Sequence, residues 1–259
     1  MDGSYSLAGF VVGAVVGLTG VGGGALMTPL LVLLFGVHPA TAVGTDLLYA
    51  AVTKAAGTAV HGGNGSVDWR IAGHLATGSL PAAALTLIVL AQFDLRSPSL
   101  TQFVSAVLGV ALLLTATALL LRQRLLKWAR SGGTGRDSRG TSATVAVGAA
   151  LGLLVSISSV GAGALGVTAL LFLYPRLASV RIVGTDIAHA VPLTLVAGIG
   201  HWWLGSVDWA LLGSLLVGSL PGIWLGSRLA VKVPEYFLRP LLATLLVAIG
   251  AKLTAPLLG

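Results

Sequence analysis

Long apolar stretches parted by short polar breaks run through the whole chain, and each half repeats the same set of four. They cover 7–35, 42–61, 69–91 and 101–121 in the first half, and 143–174, 182–203, 209–231 and 237–257 in the second. A helix needs about 20 residues to cross a hydrocarbon core, so the three later stretches of each half predict membrane spans. No stretch alternates apolar and polar residues at period two, which removes a β-barrel. Helices are then the remaining structure whose backbone satisfies itself in lipid. The opening stretch of each half is overlong and interrupted, at Gly17–Gly24 in the first and at Ser156–Gly163 in the second. Each interruption leaves pieces of about 12 residues, too short to span.

The two halves are copies. Val43-Gly44-Thr45-Asp46 returns as Val183-Gly184-Thr185-Asp186, Gly65-Ser66-Val67-Asp68-Trp69 as Gly205-Ser206-Val207-Asp208-Trp209, and Gly78-Ser79-Leu80-Pro81 as Gly218-Ser219-Leu220-Pro221, all at an offset of 140 residues. Between Val43–Leu85 and Val183–Leu225 there are 18 identities in 43 ungapped positions, more than shared apolar composition explains. Upstream the offset is 139, pairing Val21–Leu26 with Val160–Leu165. Many membrane transporters are built from duplicated units of this kind.

Composition agrees with a lipid environment. Apolar residues are 56% of the chain and charged residues 9%, where a soluble domain carries about 25% charge. The net charge of +7 does not point to nucleic acid, because the basic residues cluster between spans and read as retention signals for cytoplasmic loops. Six of them, Arg122, Arg124, Lys127, Arg130, Arg136 and Arg139, fill a polar stretch at 122–142 that reads as a flexible linker between repeats 1–121 and 143–259. With no cysteine there is no disulfide and no thiolate metal site. Residues 1–6 lack a basic region, so the first stretch does not read as a cleaved signal.

Charge also separates two topologies. If every stretch spans, the repeats lie parallel, with 8 basic residues inside (Arg70, the six of the linker, Lys252) against 6 outside. If each opening stretch is a re-entrant hairpin, every half crosses three times and the second is inverted. The inside then holds 12, with only Arg96 and Lys252 outside; both counts omit Lys54. The positive-inside rule favours the inverted arrangement.

Glycine-rich breaks at membrane depth are tolerated where they face protein or a wet cavity. A half-helix beginning after Gly22-Gly23-Gly24, and another after Gly161-Ala162-Gly163, would each point unpaired N–H groups and a partial positive charge into its break. Inverted repeats would bring those ends face to face near the midplane. Thr19, Ser158 and Ser159 could add hydroxyl donors to an anion held there. Close packing of helices through small residues is the rival explanation; recurrence of the break in both halves favours a ligand site.

Gly20-Val21-Gly22-Gly23-Gly24, Pro29 beyond it, His38-Pro39-Ala40-Thr41-Ala42-Val43-Gly44-Thr45 and the Gly65–Trp69 loop resemble the TauE/SafE sulfite-exporter family. The likeness runs through nearly the whole chain and weakens at the linker and over 237–259. The resemblance implies an integral membrane transporter whose relatives move sulfite, sulfonates or other small organic anions. In the second half Ala162 stands for a middle glycine and Thr168 for Pro29, so the halves differ where the motif is strongest.

Several polar residues lie inside the apolar stretches. Lys54 sits twelve residues into one of them, and a central charge costs about 3 kcal/mol or more on insertion scales. It reads as the charge that meets an anion, or as a group that gives up its proton when the site empties; its repeat counterpart Thr194 is uncharged. Asp46, eight residues back and about 12 Å away along a helix, is out of direct reach. Asp46 and Asp186 follow Gly-Thr and read first as helix caps, with proton carriage as the alternative. His189, three residues after Asp186, shares its helix face and could share that proton. Thr45 and Thr185 offer hydroxyls. His61 and His201 close the second span of each half and suit a helix C-terminus; no second ligand follows at metal spacing. Trp69 and Trp209 read as interface anchors, after Asp68 and Asp208 as caps. Pro81 and Pro221 predict kinks in mid-span.

The sequence therefore predicts an all-α, polytopic membrane protein of two inverted repeats, each a re-entrant hairpin plus three transmembrane helices, in the cell membrane. It predicts a transporter of small anions with no cofactor and no metal, whose partners are the anion and the bilayer. Substrate groups would come from Thr19, Gly22, Gly23, Gly24, Thr45, Lys54, Ser158, Ser159, Gly161, Gly163 and Thr185, with Asp46, Asp186 and His189 handling any coupled proton. A passive anion channel is the nearest rival reading. An enzyme ranks below it, since no clustered catalytic constellation stands out.

Overall fold

A computed structural model describes residues 3–19, 24–131, 140–229 and 235–255, and no strand occurs among them. Ten helices lie within the described residues: α1 Gly3–Thr19, α2 Gly24–Leu34, α3 Pro39–Gly63, α4 Trp69–Leu90, α5 Pro98–Ser131, α6 Thr141–Ser158, α7 Ala164–Leu173, α8 Ser179–Trp203, α9 Trp209–Leu229 and α10 Glu235–Thr254. Five fall in each half, so that α1 corresponds to α6, α2 to α7, α3 to α8, α4 to α9 and α5 to α10. Five contain a segment long and apolar enough to cross a membrane, namely α4, α5, α6, α8 and α9. The overlong opening stretches are each two helices. Of these, α2 and α7 have 11 and 10 residues and rise only about 16 Å, roughly half the hydrocarbon thickness.

Two sequence expectations need correction here. The first piece of each opening stretch is not about 12 residues, since α1 has 17 and α6 has 18, and α6 is long and apolar enough to cross a membrane. Helix α5 continues through Ser131, so the first part of the 122–142 stretch is helical rather than flexible; its polar residues extend a helix beyond its apolar part. Residues 132–139 lie outside the described residues, as does the first glycine break at 20–23.

The halves are interleaved, α1 lying along α9, α4 along α6, α3 along α8 and α5 along α10. Gly9 faces the Leu215 backbone and Gly13 that of Ser219, while Gly218, Gly222 and Gly226 face Ser6, Phe10 and Ala14. The residue numbers climb together, so α1 and α9 run parallel. The repeat-related pair does the same, with Gly148 against Leu75 and Gly152 against Ser79. By contrast Gly44 meets His201, Gly198 meets Leu48, Gly57 meets Ile187 and Gly184 meets His61, so α3 and α8 run antiparallel. Gly109 against Thr254 and Gly250 against Leu113 make α5 and α10 antiparallel too. Glycines four residues apart let two backbones touch, and that contact, rather than hydrophobic exclusion, holds helices together in lipid. Leucine, isoleucine and tryptophan side chains such as Leu85, Ile88, Leu114 and Trp224 point outward from the bundle.

Candidate functional site

The antiparallel α3–α8 pair is tied at both ends by the duplicated motifs. Thr45 Oγ1 accepts the Asp208 backbone N–H at 3.1 Å, and Thr185 Oγ1 accepts that of Asp68 at 2.9 Å. Gly44 and Gly184 give the room, since a side chain at either would overlap the backbone of Ser206 or Ser66. The two aspartates cap the next helices, Asp68 accepting from Ile71 N and Asp208 from Leu211 N, as the sequence predicts. His61 and His201 hydrogen-bond Ser66 and Ser206 at 2.9 Å, closing the helix C-termini onto the same loops. His201 also donates Nε2 to the Ser156 carbonyl. Thus Thr45 and Thr185, expected to offer hydroxyls to an anion, are engaged with the backbone of the opposite half. Trp69 and Trp209 are exposed beside the caps.

Between those ties lies a buried polar centre. Asp46 and Asp186 are fully buried and sit inside α3 and α8, well past the first residues Pro39 and Ser179. Their expected capping role is therefore incorrect, because both helices begin three residues before their apolar stretches, and the aspartates lie seven residues inside them. Asp46 Oδ2 accepts hydrogen bonds from Thr28 Oγ1 at 2.6 Å and Ser159 Oγ at 2.9 Å. One donor comes from the first hairpin and one from the second break, so both hairpins converge on this carboxylate. Asp186 packs on Gly166 of α7, where a Cβ would overlap its Oδ1. Among the described residues neither Asp186 oxygen has a side-chain hydrogen-bond partner, the Gly163 backbone amide alone lying against that carboxylate.

Lys54, 7% exposed, donates Nζ to the Ala162 carbonyl at 3.1 Å. It lies within electrostatic reach of Asp186 and Asp46, and among the described residues no ion pair closes between it and either one. Two carboxyl groups and one ammonium thus share the centre. His189 bonds Ser79 Oγ through Nε2 at 2.8 Å, while its Nδ1 is buried and unpartnered.

The second break is unwound. Ser159 takes a left-handed φ of 58°, and Gly161 and Gly163 lie at 129° and 128°, a region that side chains disfavour and glycine accepts. All residues from Ser156 to Gly163 are buried. Among the described residues, the amides of Gly161, Ala162 and Ala164 have no backbone acceptor. Ser158 turns back on its own segment, donating to the Leu154 and Val160 carbonyls. Of the first break, Thr19 ends α1 and Gly24 begins α2; Gly22 and Gly23 lie outside the described residues.

Thr28, Ser79 and Tyr49 belong to this centre and escape the sequence reading. Ser79 carries a visible signal, since it stands in the duplicated Gly-Ser-Leu-Pro motif, where the proline drew attention instead. Thr28 has Val167 as its counterpart and so leaves no repeat signature. Tyr49, buried with Ser219 beside its hydroxyl, is the counterpart of His189, which Ser79 holds. At the end of the bundle where the α3–α4 and α7–α8 loops meet, a cleft of about 590 Å³ is lined by Asp68, Arg70, His74, Gly140, Tyr174 and Arg176 among others. Arg181 pairs with Asp68 there at 3.2 Å. Among the described residues, no group of three or more His, Cys, Asp or Glu could hold a metal ion.

Comparison with known proteins follows the same lines. The family model described as "Sulfite exporter TauE/SafE" matches residues 5–253. The "Probable membrane transporter protein YjnA" of Bacillus subtilis (strain 168) is 38% identical over 256 residues, covering 98% of this chain and all of the relative. The "Probable membrane transporter protein YdhB" of the same strain is 31% identical, over 92% and 96% of the two chains. A "Probable membrane transporter protein" of Xylella fastidiosa (strain Temecula1 / ATCC 700964) is 28% identical, over 87% and 84%. No solved structure gives a significant match.

Proposed function

The chain belongs to the sulfite exporter TauE/SafE family of multi-pass membrane transporters, which are not enzymes, and on that premise we propose that it carries a small, sulfur-containing anion such as sulfite or a sulfonate. The observation that carries this reading is the meeting of the unwound Ser159–Gly163 segment with Lys54 and Asp46 in a buried polar centre reached by both hairpins. Lys54 supplies the positive charge, Ser159 a hydroxyl, and the amides of Gly161, Ala162 and Ala164 preformed donors, which suit an oxyanion better than a neutral solute. By the duplication, Thr19 and Gly22–Gly24 of the first break are proposed to contribute as well. Thr45 and Thr185, whose oxygens accept backbone N–H groups of the opposite half, enter the proposal as ties between the repeats.

The repeats are inverted in this reading. Helices related by the duplication, α3 with α8 and α5 with α10, run antiparallel, as an axis in the membrane plane requires. In that frame α2 and α7 return to the face by which α1 and α6 enter, and the linker and the cleft lined by Arg70 and Arg176 face the cytoplasm of a cell membrane. The cleft then serves as an inner mouth whose arginines concentrate anions. Alternating access rocks the interleaved hairpins about the tied α3–α8 pair, with a proton as the coupling ion.

Proteoliposome flux of labelled sulfite, sulfonates and carboxylates, with and without a pH gradient, tests the proposal. Saturable flux of a sulfur anion that follows the pH gradient is expected. Weakly saturating flux that ignores the gradient would make the protein a channel, and no anion flux at all would defeat the reading.

A further inference from the structure

The duplication places an aspartate at the same position in both halves, yet it surrounds the two differently. Elsewhere the copies agree: Thr45 and Thr185, Asp68 and Asp208, His61 and His201 make matching bonds. Around the carboxylates they diverge. Thr28 and Ser159, the donors to Asp46, have Val167 and Gly20 as counterparts. Among the described residues Asp186 accordingly receives no side-chain hydrogen bond, only the Gly163 backbone amide lying against it, though it is fully buried. Lys54 itself has no charged counterpart, and Thr194 in its place turns back to the Ala190 carbonyl at 2.8 Å.

These surroundings suit different protonation states. An ionised carboxylate is an acceptor only, so two converging hydroxyl donors fit it. A carboxyl group with no hydroxyl donor and a single backbone amide against it, buried beside Gly166, is tolerated as the uncharged acid or when a cation moves against it. The titratable groups about Asp186 are Lys54 and Asp46 from α3 and His189 on its own helix, with His61 of α3 against Gly184 one turn away. The sequences of α6 and α7 contain none, and α4 meets this face with Ser79, whose hydroxyl holds His189. Lys54 is the cation among them. Among the described residues its one hydrogen bond is to a neutral carbonyl, that of Ala162, rather than to a carboxylate.

We propose that Asp186 carries the coupling proton, Asp46 being the fixed charge partner, and that Lys54 alternates between a bound oxyanion while Asp186 is protonated and Asp186 itself once that proton has left. This rests on the reading of proton-coupled anion transport above. With Asp186 neutral, Asp46 and Lys54 cancel and an anion enters an uncharged centre. When Asp186 loses its O–H proton to water on the far side, its new charge draws Lys54 away and expels the anion. Anion and proton therefore travel together.

The test uses the full chain in proteoliposomes with labelled sulfite and an entrapped pH dye, comparing wild type, Asp186→Asn and Asp46→Asn. For Asp186→Asn, accumulation driven by the pH gradient should fall about tenfold or more, in the range of a single coupling interaction. Sulfite/sulfite exchange should persist at a lower rate, without dye response and with a flat pH profile. Asp46→Asn should lose gradient-driven flux and exchange together. If Asp186→Asn does not fold, Asp186→Glu decides, since its pH profile must move relative to wild type. Coupled accumulation in Asp186→Asn, an unmoved profile in Asp186→Glu, or the uncoupled signature in Asp46→Asn instead would each overturn the assignment. Absence of anion flux in the wild type would instead overturn the transport reading beneath it.

Discussion

Lys54 is the residue on which the centre's charge depends. Changing it to alanine should bring anion flux to background while leaving membrane insertion intact, measured by transport in vesicles beside membrane-fraction yield. Unchanged transport would remove it from the site. The same change should lower the thermal midpoint in detergent, since stripping one member from a buried charge group costs about 3–5 kcal/mol. Ser159→Ala removes a hydrogen bond to a carboxylate, worth about 1.5–3 kcal/mol. Thr194→Val should cost less, because that hydroxyl bonds only within its own helix, and equal losses in the two variants would contradict the fixed, ionised role of Asp46. Lys54 is legible in the sequence because a charge inside an apolar stretch must be compensated. Thr28 is not, because a threonine beside Pro29 in an apolar run looks like any other and its meaning comes only from the Asp46 oxygen 2.6 Å away.

At the level of elements, apolar stretch length alone gives the number of helices and the position of both breaks. It misplaces their ends. The apolar run begins at Ala42, but α3 starts at Pro39; that difference turns Asp46 from a cap into an interior residue. Polar Arg122, Arg124 and Lys127 lengthen α5 where hydropathy alone ends it. The interleaving of α1 with α9 is likewise invisible in one sequence, since it is made of glycines whose partners lie some 200 residues away. Gly13→Leu or Gly222→Leu should break it. Each would drive a side chain into the facing backbone, and overpacking of this kind costs about 1–3 kcal/mol or more. Thermal unfolding in detergent would record the loss, and Gly213→Leu, where a Cβ meets nothing within 4 Å, is the control.

For the whole molecule, topology is the open quantity, and the cysteine-free chain makes it simple to measure. Single cysteines at Gln92 and at Asn64 should report opposite faces in intact cells, an impermeant maleimide reaching Gln92→Cys and not Asn64→Cys. Both termini should lie on the face of Gln92. Equal labelling at Gln92 and Asn64, or termini on the cytoplasmic side, would exclude inverted repeats. The sequence anticipates the proposed arrangement only through its loop arginines; the antiparallel registers of α3 with α8 and α5 with α10 are those that such an inversion requires.

The reciprocal bonds Thr45 to Asp208 and Thr185 to Asp68 carry one more consequence. A polypeptide stopping at Ser131 would leave bare the surfaces on α1, α3 and α4 that its missing companion covers. Separate fragments should accumulate when produced together and be degraded when produced singly. Before fusion joined them into one gene, the ancestral unit could have worked only as a pair of identical molecules.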